Sequence, residues 1–237
     1  MKLQTRLLII EGIMGSGKST TARWIAARLE DAGLRALAIT ERVDPHPVRG
    51  TDGLDHWFQP WLDVTTEGFA DRCLAKWRSF VVEAQATETI YTLDGQLFHG
   101  DLTNLFLMGA SPTAIAKYCE TVSEIARPLR PLLIYFYQAD VERAIRTIAA
   151  ERGEEWVKYQ VDWKLQTPYS RRLGLSGLDG LVSLYKDYRA LTDELYSRLD
   201  LPKLAIENSQ QAWDIYYQQI HALLDVNPLS KTKRPAT

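Results

Sequence analysis

The 237-residue chain lacks the features of a membrane protein, a nucleic-acid binder or a disulfide-stabilised secreted protein. It has no run of 18 apolar residues, so we expect no membrane span. A net charge of −2 gives no excess of basic residues for nucleic acid. Only two cysteines are present, Cys73 and Cys119, which favours free thiols in a reducing cytosol. The free thiols lead us to expect a cytoplasmic protein. Its histidines lack metal-ligand spacing, so we expect no zinc or iron site.

The composition is that of one globular domain. Apolar residues make up 46% of the chain, and apolar runs alternate with helical patterns, which favours a parallel sheet with helices on both faces. Ser176 with Asp179 predicts a capping box at the start of a long helix. We expect one domain at residues 1–226, with a helical lid at about 151–180, and a tail at 227–237. The predicted strands lie at 7–10, 36–40, 90–93, 132–137 and 204–206.

The most informative motif is Gly12-Ile-Met-Gly-Ser-Gly-Lys-Ser19, which matches the phosphate-binding pattern G-x-x-x-x-G-K-[ST]. An apolar strand precedes it and a helical pattern follows it, as this motif requires. Its glycines let backbone N–H groups turn towards a polyphosphate, and the start of the helix adds a positive dipole end. The motif therefore predicts binding of ATP with Mg²⁺.

Each part of the motif has an expected role. Lys18 supplies a mobile positive charge to the β and γ phosphates, and the Ser19 hydroxyl ligates Mg²⁺. Three residues beyond the motif complete the predicted cofactor site: one directly after it, one after the fourth predicted strand and one after the fifth. The candidate cofactor-binding residues are Gly12, Met14, Gly15, Ser16, Gly17, Lys18, Ser19, Thr20, Arg143 and Asn208.

Acidic residues beyond the carboxyl ends of the predicted strands are candidates for catalysis, because ligands of parallel sheets gather there. Glu41 follows the second strand and is the candidate general base, with Asp44 as the alternative. Asp94 follows the third strand and is a candidate for orienting the Mg²⁺ shell, directly or through water. The sequence also allows Glu41 to be a solvated or ion-paired loop residue and Asp94 to be a turn former.

Three arginines lie in the helical pattern after the fourth strand: Arg143, Arg146 and Arg152. A guanidinium group suits phosphate oxygens, so one or two of them could close over a transferred phosphoryl group. Arg146 and Arg152 are therefore candidate catalytic residues. The alternative is a solvated helix face paired with neighbouring glutamates. Gly153 then indicates a mobile join to the lid.

Two clusters are candidates for contact with a phosphoryl acceptor. Trp57, Phe58 and Trp61 could form a flat wall for a planar molecule, but aromatic residues lie more often in the core, and we expect a core role. The second cluster follows the third strand and consists of Phe98, His99, Asp101 and Asn104.

Together these segments resemble the P-loop kinases of small molecules, in particular the deoxynucleoside kinase and thymidylate kinase group and uncharacterised bacterial kinase-like proteins. Residues 11–20 look like their first strand and P-loop, and residues 40–43 like the strand end where nucleoside kinases keep a catalytic glutamate. Residues 133–153 are similar to their fourth strand and arginine-bearing lid, and residues 204–207 resemble the last strand, which precedes a loop that touches adenine. Nucleoside kinases carry an acid-arginine pair after the third strand, whereas Gly95 follows Asp94 here.

The resulting hypothesis is a three-layer P-loop NTPase fold with a five-stranded parallel sheet in the order 2-3-1-4-5. The expected activity is ATP- and Mg²⁺-dependent transfer of a phosphoryl group to a hydroxyl or phosphate of a small molecule, with nucleosides and nucleotides among the options. One alternative is a kinase of an antibiotic or polyol. Another is a nucleotide-dependent switch or ATPase with a protein partner, although no Asp-x-x-Gly switch motif follows the third strand. The expected partner is a small molecule, not nucleic acid or membrane; a homodimer stays open.

Overall fold

The structure, a computed structural model, describes residues 4–224, and the predicted tail at 227–237 lies outside the described residues. Its apolar runs form five strands, each beginning within one residue of its predicted start. All five predicted strands are therefore confirmed. They are β1 Leu7–Gly12, β2 Ala36–Ile39, β3 Ile90–Asp94, β4 Leu132–Tyr137 and β5 Lys203–Glu207.

The strands form one parallel sheet in the order β2-β3-β1-β4-β5, which confirms the predicted order. β1 is the central strand, and its Ile10 lies beside Asp94 of β3 and Ile134 of β4. Because all strands run the same way, their carboxyl ends share one edge of the sheet. The segments that follow β1, β2 and β3 therefore meet at that edge.

Helices surround the sheet, and several begin at local caps. Ser111 accepts a hydrogen bond from the Ala114 N–H, and Asp140 accepts one from the Arg143 N–H. A π-helical segment spans Leu97–Leu102. The α-helices are α1 Lys18–Asp31, α2 Thr66–Gln85, α3 Thr103–Leu107, α4 Pro112–Ala126, α5 Val141–Arg152, α6 Glu154–Lys164, α7 Pro168–Arg172, α8 Gly177–Arg198 and α9 Trp213–Leu224.

The predicted capping box at the start of α8 is wrong in its contacts. The helix begins at Gly177, but Ser176 makes no side-chain cap hydrogen bond. Asp179 instead accepts a hydrogen bond from Arg146 of α5 at 2.6 Å. A contact between two helices thus replaces the local one.

Among residues 4–224, no helix combines the length and apolar character that crossing a bilayer requires.

Alternate residues of β1 pack on opposite faces of the sheet. Leu7 and Ile9 join a core to which α2, α4, α5 and α8 contribute, whereas Leu8 and Ile10 join a second core with α1 and α9. The described residues therefore form three layers, helix, sheet and helix. Burial of β1 on both faces fits its uninterrupted apolar sequence.

Candidate functional site

A cavity of about 1100 Å³ opens at the carboxyl edge of the sheet. Four segments supply most of its lining: the start of α1 with the loop before it, the loop between β2 and α2, the segment from the end of β3 into α3, and α6. Arg152 of α5 and Tyr185 of α8 complete it. Ligand pockets commonly enclose about 300–1,000 Å³. The cavity therefore has room for two small ligands side by side.

The glycine loop, residues 12–17, joins β1 to α1. Gly15 and Gly17 have φ angles of 74° and 86°, in the left-handed region that glycine adopts without strain. A Cβ atom on Gly12 would lie 2.6 Å from the Phe136 carbonyl oxygen, and one on Gly17 would overlap the Trp213 ring. Backbone conformation and close packing both require glycine in this loop.

The N-terminus of α1 opens into the cavity. The first hydrogen bond of the helix runs from the Thr21 N–H to the Gly17 carbonyl at 2.9 Å, so the N–H groups of Lys18, Ser19 and Thr20 have no acceptor within the helix. Gly17 occupies the N-cap and has no side chain that could accept from them. These donors and the helix dipole can receive an anion.

The predicted cofactor residues divide into two groups by position. Met14, Gly15, Gly17, Lys18, Ser19 and Thr20 line the cavity. Ser16 is fully buried, and its carbonyl accepts a hydrogen bond of 2.8 Å from Asn208 Nδ2. Asn208 therefore holds the glycine loop from behind, outside the cavity lining.

Lys18 and Asp94 are buried at the inner end of the glycine loop, 7% and 2% exposed. Lys18 Nζ donates to the Ile13 carbonyl at 3.0 Å. Burial lowers the pKa of Lys18, while the carboxylates of Asp94, Glu11 and Glu41 act in the opposite direction. Asp94 Oδ2 is buried without a hydrogen-bond partner. It is therefore free to accept a ligand hydrogen bond or to join a metal shell.

Gly95 leaves no room for a larger side chain directly after β3. Its φ angle is 66°, and a Cβ atom there would lie 2.9 Å from Lys18 Cε and 3.1 Å from His99 Cβ. A larger residue would displace the Lys18 side chain, which crosses directly over this position. A cationic side chain at residue 95 is thus incompatible with the observed path of Lys18.

A buried carboxylate joins the glycine loop to the π-helical segment. Glu11 accepts hydrogen bonds from the N–H groups of Leu97, Phe98 and His99 at 2.7, 2.8 and 3.0 Å. Burial raises the pKa of Glu11 to about 7, although these donors and Lys18 favour its charged form. π-Helical segments are rare and often occur at functional sites.

The π-helical segment and the start of α3 bring polar side chains into the cavity. His99, Asp101 and Asn104 line it, whereas Phe98 lies in the core. Asp101 Oδ2 accepts hydrogen bonds from the Tyr118 hydroxyl at 2.7 Å and Trp77 Nε1 at 3.1 Å. Burial raises the pKa of Asp101 to about 6. Asp101 is therefore held rigidly.

Both candidate bases lie in the loop after β2 and line the cavity. Arg49 donates to the Glu41 carbonyl at 2.8 Å and forms an ion pair of 3.4 Å with Asp44. The Asp44 carboxylate is thus engaged, whereas the exposed Glu41 carboxylate has no hydrogen-bond or ion-pair partner within residues 4–224. This difference favours Glu41 as the acceptor of a proton.

A buried histidine holds this loop. His46 Nδ1 accepts hydrogen bonds from the N–H groups of Val48 and Arg49 at 3.2 and 3.1 Å. Burial lowers the pKa of His46 to about 4. The ring is therefore neutral at pH 7, as an accepting nitrogen requires.

The expected core role is wrong for two of the three loop aromatics. Trp57 and Phe58 are 48% and 39% exposed, and both line the cavity. Trp61 is half-buried and lies outside the lining. Trp163 Nε1 of α6 donates to the Phe58 carbonyl at 2.8 Å. The loop and α6 thus form one continuous aromatic wall.

Helix α6 contributes residues to the cavity that were not among the predicted site residues. One face of this helix lines the cavity, with residues spaced i, i+3, i+4, i+7 and i+8, a spacing that the sequence itself contains. These residues are Trp156, Tyr159, Gln160, Trp163 and Lys164.

Of the three predicted arginines, Arg152 alone lines the cavity. Its guanidinium lies 5.3 Å from the centroid of the Trp156 ring. Arg146 forms exposed ion pairs of 3.0 and 2.6 Å with carboxylates of α5 and α8. Arg143 is exposed and lies outside the cavity lining.

Comparisons with known proteins return no family: no protein-family model matches the chain, and no curated protein is significantly similar to it. The function is therefore inferred from the cavity itself.

Proposed function

We propose that the protein is an ATP- and Mg²⁺-dependent phosphotransferase that moves a phosphoryl group to a small molecule. One observation carries the proposal. The uncapped N-terminus of α1 and the buried pair Lys18 and Asp94 lie at one end of a cavity large enough for a nucleotide and an acceptor. The free N–H donors and a lysine ammonium match a polyphosphate.

The residues present fit Mg²⁺. This ion keeps several waters and is commonly bound by one or two protein oxygens together with substrate phosphates. The Ser19 hydroxyl and the unpartnered Asp94 Oδ2 offer such oxygens. Residues 4–224 contain no cluster of three or more His, Cys, Asp or Glu side chains placed to hold a metal, so the substrate phosphates would complete the shell. The ion would supply positive charge at the phosphates.

The side chains of this chain divide the remaining work. Lys18 and Arg152, which line the cavity from two sides, balance negative charge during transfer. Glu41 accepts the proton of an acceptor hydroxyl, because its carboxylate is free while that of Asp44 pairs with Arg49. The aromatic wall on the far side excludes water from the acceptor. We place this activity in the cytoplasm, where both buried, unpaired cysteines would stay reduced.

The test measures transfer of label from γ-labelled ATP to a panel of nucleosides, nucleotides, polyols and antibiotics. We expect transfer by the wild type. The rate of transfer should fall about 100-fold or more in Lys18→Ala, because the ammonium that balances the negative charge of the transferred group is removed. Lys158→Ala is the matched control, since Lys158 is an exposed lysine of α6 paired with Asp162. Release of free phosphate alone, stimulated only by a protein partner, would refute transfer and indicate a switch.

A second variant tests the base. Glu41→Gln is expected to lower kcat by about 100-fold for hydroxyl acceptors and to leave ATP binding unchanged, because the side chain is neutralised without a change in size. Asp44→Asn is the control within the same loop. If Glu41→Gln transfers at the wild-type rate, the assignment of the base is wrong.

A further inference from the structure

A buried lysine lines the half of the cavity that α6 and the loop aromatics Trp57 and Phe58 form, which we call the acceptor half. Lys164, the last residue of α6, is 4% exposed. Its Nζ lies 4.0 Å from the centroid of the Trp163 ring and 6.0 Å from that of Tyr185. Among residues 4–224, no carboxylate or hydrogen-bond acceptor pairs with it, and the one charge that acts on it strongly is the like charge of Lys18.

Such a group is costly to keep. An ammonium removed from water without a partner destabilises the fold, and proteins normally pair buried charges. The aromatic rings beside Lys164 compensate for part of this cost. The uncompensated part of this cost indicates a negatively charged group that is supplied from outside the chain.

Further unpartnered polar atoms point to the same place. Gln96 Oε1, His99 Nδ1, Gln160 Oε1 and the Tyr185 hydroxyl are all buried and lack hydrogen-bond partners. All four residues line the same cavity as Lys164. Buried polar atoms are normally satisfied, so this concentration indicates hydrogen bonds to a ligand.

The surroundings of Lys164 favour a contact with the acceptor over one with the nucleotide. A much smaller pocket behind Lys164 is bounded by His99, Thr103, Phe106 and Tyr188 and contains no residue of the glycine loop. The wall in front of it consists of aromatic side chains of α6 and of the loop after β2. A flat molecule can lie against this wall with its charged group at Lys164.

We propose that the phosphoryl acceptor is a planar small molecule that carries a negatively charged group, and that Lys164 binds this group. The inference rests on the proposed function, since it concerns the acceptor of that reaction. A carboxylate and a phosphate share the required chemistry. Uncharged polyols and cationic antibiotics do not provide it, so the proposal narrows the range of acceptors.

The test compares matched probes by calorimetry on the full chain. The nucleotide site is first filled with a non-hydrolysable ATP analogue and Mg²⁺, so that an anion cannot bind at the glycine loop. Benzoate, phenyl phosphate and uncharged benzamide are then titrated. We expect at least one of the two anions to bind more tightly than benzamide, and the stronger of the two identifies carboxylate or phosphate as the natural group.

Lys164→Gln is expected to weaken binding of that anion by roughly 30-fold or more, because a buried charge pair loses one partner. Its benzamide affinity should stay unchanged. Lys158→Gln, on the exposed face of the same helix, should bind like the wild type. Lys164→Arg, which keeps the charge, should retain the preference for anions. This pattern would support the proposal.

Three results of the titrations would overturn it: no detectable binding of either anion, equal binding of anions and benzamide by the wild type, or equal anion binding by Lys164→Gln and the wild type. The first two comparisons need no variant. The kinetic panel adds a further check, because equal losses of kcat for charged and neutral acceptors would assign Lys164 to the transferred group instead. Failure of the ATP analogue to bind would refute the proposed function and is measured separately in the first titration.

Discussion

Replacing Lys164 by methionine should make the protein more stable. Methionine keeps a chain of similar length and removes only the buried charge. Burial, together with the charge of Lys18, lowers the pKa of Lys164 from 10.5 to about 8. A pKa difference of this size means that the charged form of Lys164 destabilises the folded state by about 3 kcal/mol at pH 7. For a domain of this length, the gain in Tm is about 6–12 °C.

The stability gained by Lys164→Met over the wild type must shrink as the pH rises. Below about pH 8 Lys164 is charged in both the folded and the unfolded chain, so the whole cost is present. Between about pH 8 and 10.5 the unfolded chain binds the proton and the folded one does not, so the stability of the wild type rises with pH. The gap between Lys164→Met and the wild type should therefore close by about pH 10.5.

Urea unfolding, followed by tryptophan fluorescence at pH 7 and near pH 10, measures both effects. The control is Lys158→Met, which removes an exposed lysine of the same helix and should change the free energy of unfolding by less than about 0.5 kcal/mol. A Lys164→Met variant that is less stable than the wild type at pH 7, or a gap that does not change with pH, would refute the view of Lys164 as an uncompensated buried charge.

Two further predictions concern the walls of the cavity. As the pH falls from 6.5 towards 4, the unfolded chain takes up a proton at His46 that the folded chain does not, so the free energy of unfolding should fall by about 2 kcal/mol. Urea unfolding should show this loss in the wild type but not in His46→Asn, whose amide oxygen can still accept a hydrogen bond. Gly95→Ala should lower stability by about 1–2 kcal/mol and weaken ATP binding in calorimetry, because its Cβ displaces Lys18. Gly33→Ala, at a φ of 76° with nothing within 4 Å, should cost stability alone.

The sequence predicts those parts of the fold that depend on local patterns. The strands were found because each is a short apolar run, and the glycine loop because its spacing is fixed by backbone conformation. Helix starts were less secure, as the contact of Asp179 with α5 shows. A local cap and a tertiary ion pair compete for the same carboxylate, and the sequence does not reveal which one wins.

The acceptor half of the cavity could not be predicted in the same way. The aromatic face of α6 is visible in the sequence as a helical stripe, but the same stripe would fit a core helix equally well. Whether Trp57, Phe58 and Lys164 face a cavity depends on how α6 packs beside the loop after β2, a contact between residues about 100 positions apart. Only the folded chain brings these residues together.

Glu11 links the two halves of the cavity. It directly precedes the glycine loop, and its carboxylate holds the first three N–H groups of the π-helical segment that carries His99. A shift of the glycine loop must therefore move or break these hydrogen bonds, and they in turn fix where the acceptor-side residues lie. Because Glu11 has no contact with solvent, neither half can change position without cost to the other. The relative placement of the proposed nucleotide and acceptor sites thus depends on a residue that need touch neither ligand.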